Sequence, residues 1–120
     1  MTISHKILLN SGVVEVVIDS PPTVDDYQAC LPNLLKESTE HSARKWLVNV
    51  EFADQGSVNW TQDFTAFVCN ELKVHIDKIA VVCDHKLWSL VLELLAPIEN
   101  YGRQARVFND REAALQWISQ

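Results

Sequence analysis

The sequence predicts an α/β fold whose strands and helices follow the order ββαβαβαβα. Two features carry this prediction: a period-two pattern in the first twenty residues, and nearly continuous apolar runs at 46–50 and 78–83. Such runs are typical of strands that are buried on both faces. Segments with helical spacing separate them, so we expect parallel neighbours joined by right-handed crossovers after an antiparallel first hairpin.

The first part of the chain predicts this hairpin and a helix. The two strands, at 3–10 and 13–19, flank a tight turn at Ser11-Gly12. Thr23 is the predicted N-cap of the helix, because Asp26 follows three residues later as its reciprocal partner. We expect a mild kink at Pro32 and a buried stripe formed by Val24, Tyr27, Leu31, Leu34 and Leu35.

The rest of the chain alternates strands and helices. The predicted elements are a strand at 46–50, a helix over about 59–75, a strand at 78–83, a helix over 85–96, a strand at 104–108 and a final helix. The two middle helices are called here the Trp60 helix and the Trp88 helix. Asp84 and Asp110 are predicted N-caps, and Pro97 is expected to end the Trp88 helix. Residues 1–120 are expected to form a single domain.

The composition and the net charge indicate which classes of protein the chain can belong to. The 120 residues are 48% hydrophobic with three glycines, which is typical of a packed globular domain. A net charge of −6 disfavours a nucleic-acid partner and weakens attraction to anionic lipid. Cys30, Cys69 and Cys83 are far apart and odd in number, which indicates thiols in a reducing cytoplasm. We expect no signal peptide, and no apolar run approaches the ~20 residues that span a bilayer.

The common patterns of chemistry are missing from the sequence. The four histidines are scattered and there is no Cys-x-x-Cys pair, so no metal site is expected. Single glycines exclude a phosphate-binding loop, and the Gly-x-Ser-x-Gly nucleophile motif is absent. We therefore expect a protein that is not an enzyme and holds no cofactor.

Two places leave alternatives open. Cys83 ends a buried strand, and Asp84 and His85 follow it, at a place where α/β folds often bind ligands. The favoured interpretation is a helix cap at Asp84 beside an inert core thiol at Cys83. Glu71 projects into the apolar arc of the Trp60 helix. It is either a buried carboxylate with a raised pKa or, as we favour, a residue at a wet edge of that arc.

The Trp88 helix has more apolar surface than one sheet covers. Its apolar side chains sweep roughly 240° of the helical wheel, whereas a helix on one sheet needs a stripe only a little over ~100° wide. The Trp60 helix also has a wide apolar arc. Covering two or three large side chains contributes on the order of 1.5–3 kcal/mol each, enough to drive dimerisation or binding of an apolar ligand. Alternatively, the two helices cover each other.

Several groups of residues follow a known pattern in order and spacing. They are the hairpin with Gly12, TVDDYQACLPNL at 23–34, KIAVV at 78–82 followed by Asp84 and Trp88, ARVF at 105–108 and AALQWI at 113–118. The chain thereby resembles the SpoIIAA-like family of small bacterial proteins, related to STAS (sulfate transporter and anti-sigma-factor antagonist) domains. The resemblance implies a mixed five-stranded sheet with four helices mostly on one face.

The resemblance also bears on function. STAS antagonists are switched by phosphorylation of a serine in an Asp-Ser-Ser-Gly turn, but here Val58 stands at the acceptor position, between Ser57 and Asn59. Ser57 and Thr61 are nearby hydroxyls outside the motif. SpoIIAA-like proteins are thought to bind apolar molecules or membranes through mobile helices, which agrees with the surplus of apolar surface.

The leading hypothesis is a non-enzymatic cytoplasmic module, resembling a lipid carrier, that binds an apolar ligand or a membrane surface peripherally. The predicted ligand-binding residues are Trp60, Phe64, Phe67, Leu87, Trp88 and Val91, and Leu90 and Leu94 are predicted to face a partner or the membrane. The alternative is a STAS-like module that holds a regulatory protein on the same surface or on the loop at 54–61. A homodimer is compatible with both.

Overall fold

A computed structural model describes residues 3–8, 12–19, 24–40, 43–51 and 76–120. The strands are β1 (Ile3–Leu8), β2 (Val13–Ile18), β3 (Lys45–Val50), β4 (Lys78–Val82) and β5 (Gln104–Phe108). The helices are α1 (Val24–Glu40), α2 (Trp88–Asn100) and α3 (Arg111–Ile118), and a 3-10 helix (His85–Leu87) precedes α2. The predicted α/β fold with a mixed five-stranded sheet is confirmed. The Trp60 helix lies outside the described residues.

The sheet keeps the order of the chain, β1-β2-β3-β4-β5. β1 pairs antiparallel with β2 through the turn at Gly12, whose φ of 66° is readily available to glycine. The other three pairings are parallel, as predicted. Right-handed crossovers between parallel strands in sequential order place the connecting helices on the same face of the sheet.

The two faces of the sheet carry separate cores. The face that packs against α1 and α2, called here the helical face, is built from alternate strand residues such as Val14, Val48 and Val81. The opposite face packs against α3, and its core is formed by Val13, Leu47, Ala80, Val82, Ala114 and Ile118. The two central runs predicted from the sequence are therefore buried on both sides, which explains their lack of polar alternation.

Contacts in its second half hold α1 in place. Leu34 is buried in the core of the helical face, and the His5 ring on β1 contacts the carboxylate of Glu37. The buried Ser38 hydroxyl donates to the Ala43 carbonyl after the helix. Pro32 lies inside α1 and is exposed. Thr23 and the predicted side chains of Val24, Tyr27 and Leu31 lie outside the described part.

The Trp88 helix begins as predicted but ends later. The Asp84 carboxylate accepts a hydrogen bond from the Lys86 backbone N–H at 2.9 Å, which caps the 3-10 turn. The predicted end at Pro97 is wrong, because α2 continues to Asn100. Termination comes at Gly102, where φ is 89°. The Gly102 and Arg103 N–H groups donate to the carbonyls of Glu99 and Ile98, a Schellman motif that a left-handed glycine permits.

The short helix α3 is fastened at both ends. Asp110 accepts from the backbone N–H groups of Glu112 and Ala113, as its predicted role as N-cap requires. At the other end the Lys78 ammonium group donates to the Trp117 carbonyl at 3.3 Å and lies 4.9 Å from the centre of the Trp117 ring. A cation at this position also complements the negative end of the helix dipole.

A buried ion pair connects α3 to the sheet. Glu15, in the middle of β2, is only 3% exposed. Arg111, the first residue of α3, donates to both of its carboxylate oxygens, at 2.6 and 2.9 Å. The Lys6 ammonium group on β1 lies 3.3 Å from the same carboxylate. The Arg111 hydrogen bonds outweigh the opposing effect of burial and lower the pKa of Glu15.

Glu15→Gln should lower the free energy of unfolding near neutral pH by about 1.5–3 kcal/mol, because hydrogen bonds to a charged group are lost. The folded-state pKa of Glu15 is lowered from 4.5, so its contribution is fully present above that value and is lost as the pH falls through the folded-state pKa. Urea denaturation at several pH values should show a steeper acid loss for the wild type. The matched control is Glu40→Gln, at an exposed position at the end of α1. If the free energy of unfolding fell equally steeply with pH in the wild type and in Glu15→Gln, the stabilising role of the Glu15 carboxylate would be contradicted.

Leu95→Ala should destabilise the protein by about 2–5 kcal/mol, because Leu95 is 1% exposed and its removal leaves a cavity. Leu92 lies three residues earlier on α2 and is 50% exposed. We expect Leu92→Ala to change the free energy of unfolding by less than about 1 kcal/mol. Thermal unfolding of both variants tests the orientation of α2, and a larger loss for Leu92→Ala would show that it is wrong.

Candidate functional site

A crevice of about 450 Å³ opens at the carboxyl ends of β3, β4 and β5. It is lined by Val50, Glu51, Val82, Cys83, Asp84, His85 and Asn109. The chain leaves β4 toward α2 on the helical face and leaves β5 toward α3 on the opposite face. Ligands of open α/β sheets bind where the connections of neighbouring strands part in this way.

The crevice lacks an activated nucleophile among the described residues. Burial, reinforced by the charge of Asp84, raises the pKa of Cys83 to about 11, so the thiol is protonated at neutral pH. Asp84 is engaged as the cap described above, and the exposed His85 ring lies 5.0 Å from the Trp88 ring. These contacts agree with the favoured interpretation of this segment as a helix cap beside a core thiol.

A second surface lies beside the crevice, along α2 and β5. Trp88, Leu92 and Ala96 are four residues apart and therefore lie on one side of α2. A right-handed crossover from β4 to β5 turns this side toward the outer edge of β5, the last strand of the sheet in the described part of the chain. There Ala105 and Val107 present half-buried side chains on the helical face. These five residues are called the α2–β5 surface.

Trp88 joins this surface to the crevice. Its indole N–H donates to the Cys83 carbonyl at 3.4 Å, and its ring is half-buried against the core. Leu92, one turn further, is one of two large hydrophobic residues exposed in the described part of the chain, and Tyr101 is the other. Because Leu92 adjoins Trp88, its exposed side chain belongs to a patch.

The predicted site residues that the structure describes differ in how exposed their side chains are. Leu87 and Val91 are 0% and 4% exposed and pack in the core of the helical face. Trp88 is half-buried at the edge of this core, and its role in binding stays a prediction. Trp60, Phe64 and Phe67 lie outside the described residues, as do the side chains of Leu90 and Leu94. Their assignment to a ligand site or a partner surface stays a prediction.

Further positions raised by the sequence also lie outside the described residues. These positions are Ser57, Val58, Thr61, Cys69 and Glu71. The alternatives for Glu71, and the missing phosphorylation turn implied by the resemblance, therefore remain as the sequence left them. Cys83 is a free cysteine, in agreement with its interpretation as a core thiol.

Two features of the structure escaped the sequence interpretation. One is the contribution of β5, although a signal exists: residues 101–109 contain two arginines and no acidic residue in a chain of net charge −6. The other is the pairing of Glu15 with Arg111. A lone glutamate between valines in a strand requires a cation nearby, but the sequence does not say which one.

Within the described residues, no three or more His, Cys, Asp or Glu side chains come together in a way that could hold a metal ion. None of the helices in this part of the chain combines the length and the apolar character needed to cross a membrane.

Comparison with known proteins identifies the family of the chain. A family model described as SpoIIAA-like matches residues 13–119, from the first residue of β2 to just beyond the end of α3. No curated protein and no solved structure matches the chain. The match includes both the crevice and the α2–β5 surface, and the mixed five-stranded sheet is consistent with a STAS-like fold. The chain therefore belongs to the SpoIIAA-like family, which is related to the STAS anti-sigma-factor antagonists.

Proposed function

We propose that this protein is a non-enzymatic, STAS-like regulatory module that binds a protein partner through the α2–β5 surface. The observation that carries the proposal is the 50% exposed Leu92 beside the half-buried Trp88. A contiguous apolar patch rimmed by polar residues is typical of interaction sites, and aromatic residues and arginine are enriched in them. Tyr101 and Arg106 provide such residues near the same edge.

The charges on α2 and the net charge of the chain favour a protein over a membrane. Glu93 and Glu99 are exposed on α2, and the whole chain carries a net charge of −6. Anionic lipid surfaces attract clusters of lysine and arginine, and an acidic protein gains nothing from their potential. A protein partner can instead provide complementary charges around an apolar centre.

The chemistry of the crevice supports a role in binding without catalysis. Cys83 is protonated at neutral pH and Asp84 is engaged in capping, so neither is poised as a nucleophile or general base. The buried free thiol of Cys83 and the odd number of cysteines fit a reducing compartment, and we propose a cytoplasmic location.

A photo-crosslinking amino acid at position 92 should capture a protein in stoichiometric yield in the cells that make this chain. The matched control is position 36 on α1, where Lys36 is also exposed to solvent but lies away from the patch. Leu92→Asp should reduce partner recovery at least tenfold, because it puts a charge in an apolar contact, and it should leave the thermal midpoint nearly unchanged. Equal capture from positions 92 and 36 would refute the proposal.

A second candidate function is the binding of an apolar ligand between the Trp60 and Trp88 helices. The favouring observation is that Trp88 is half-buried directly over the buried Leu87 and Val91. The site would comprise the ligand-binding residues predicted above, with Leu90 and Leu94 facing a partner or a membrane. The two candidates share Trp88 but differ in which side of α2 they use.

A fluorescent fatty acid separates the two functions. Under the second candidate it should bind with a micromolar or lower Kd and be displaced by unlabelled fatty acid, and Trp88→Asp should weaken it at least tenfold because a carboxylate is costly in an apolar site. Leu92→Asp is the matched control and should leave this binding unchanged. If neither the fatty acid nor neutral liposomes bind the wild type, the apolar-ligand function is excluded.

A further inference from the structure

Resting on the proposed function, we infer that the partner binds as an extended segment that adds a sixth strand to the free edge of β5. The segment would place apolar side chains against Leu92 and Val107 on the helical face and acidic side chains beside Arg106 on the opposite face. Strand addition to an open sheet edge gains affinity from main-chain hydrogen bonds and specificity from alternate side chains.

The backbone of β5 has the groups that such a strand needs. The Cys83 N–H donates to the Phe108 carbonyl, and the Gln104 N–H donates to the Asp77 carbonyl. Residues 104, 106 and 108 therefore direct their backbone groups toward β4, since these groups alternate along a parallel strand. The N–H and C=O groups of Ala105 and Val107 then point away from the sheet. β5 is the last strand of the sheet in the described part of the chain.

The helical face provides an apolar wall beside this edge. The indole N–H of Trp88 and the backbone carbonyl of Phe108 lie at the same height along the sheet, because both are hydrogen-bonded to the backbone of Cys83. Leu92 is four residues below Trp88, about 6 Å along α2, and Arg106 is two residues below Phe108, about 6.6 Å along β5. Leu92 thus stands level with the middle of β5. An apolar side chain of an added strand would contact Leu92 and Val107 together.

The charge of the edge selects the partner. Residues 101–109 carry Arg103 and Arg106 and no acidic residue, whereas the whole chain has a net charge of −6. Arg106 is exposed on the face opposite Leu92, and its guanidinium group lies 5.8 Å from the centre of the Phe108 ring. A second copy paired through β5 would bring these arginines together, and like charges across a strand pair are destabilising. An acidic segment is complementary.

The test uses the full chain and a defined probe, an eight-residue peptide of alternating valine and glutamate with blocked ends. Its control replaces every glutamate with lysine. On addition of the glutamate peptide, the amide protons of Ala105 and Val107 should become protected from exchange, as measured by NMR. We expect its affinity to exceed that of the lysine peptide at least tenfold and to fall as salt is added.

Two variants separate backbone pairing from charge. Ala105→Pro removes an N–H that points away from β4 and bonds no strand in the described part of the chain. It should therefore leave the protein folded and weaken binding of the glutamate peptide at least tenfold. Arg106→Glu keeps every backbone group and should reverse the preference, so that the lysine peptide binds more tightly. This second variant keeps the inference testable if the proline variant fails to fold.

Several results would overturn strand addition. They are failure of both peptides to bind at millimolar concentration, binding that leaves the Ala105 and Val107 amides unprotected, or a preference that Arg106→Glu does not change. Protection that rises with protein concentration alone would identify a second copy as the occupant. A natural partner that crosslinks at position 92 and binds the Ala105→Pro variant as tightly as the wild type would overturn strand addition. The proposed function would still hold. Absence of any partner at position 92 would overturn the proposed function itself.

Discussion

Each parallel strand of this sheet lies beside the strand that precedes it in the chain, and the other features of the fold depend on that order. Because βαβ crossovers are right-handed, the order sends connecting helices to one face. Of the described helices, α3 alone covers the opposite face, since it follows the last strand. The same order makes β5 an edge. The two cores and the open edge thus follow from one topological constraint.

A helix of eight residues buries little apolar area, so its position on the sheet needs further contacts. Arg111 and Lys78 provide them at its two ends, one through the buried Glu15 carboxylate and one through the carbonyl groups of the last turn. A buried ion pair is a weak source of net stability, because desolvation offsets the attraction between the charges. Its geometry is specific, however, and two parallel hydrogen bonds fix where α3 begins on the sheet.

Local signals in the sequence predicted the elements better than the contacts between them. The bounds of β5 were predicted residue for residue, because Gly102 and Asp110 interrupt the chain on either side of it. Pro97 misled the prediction of the α2 end, since a proline removes one N–H while a left-handed glycine supplies the capping geometry. Glu15 and Arg111 are 96 residues apart in sequence, so no local pattern could pair them.

The candidate site shows the same division. A helical wheel gives the angles between Leu87, Val91 and Leu92, but it does not say which direction faces the sheet. The strand order does, because it places β5 beside α2 and makes β5 the last strand of the sheet among the described residues. An open edge attracts any extended chain, including another copy of itself. In the strand addition proposed above, the positive charge of Arg106 limits which chain can pair with β5. The same charge disfavours a second copy of this protein and favours an acidic partner.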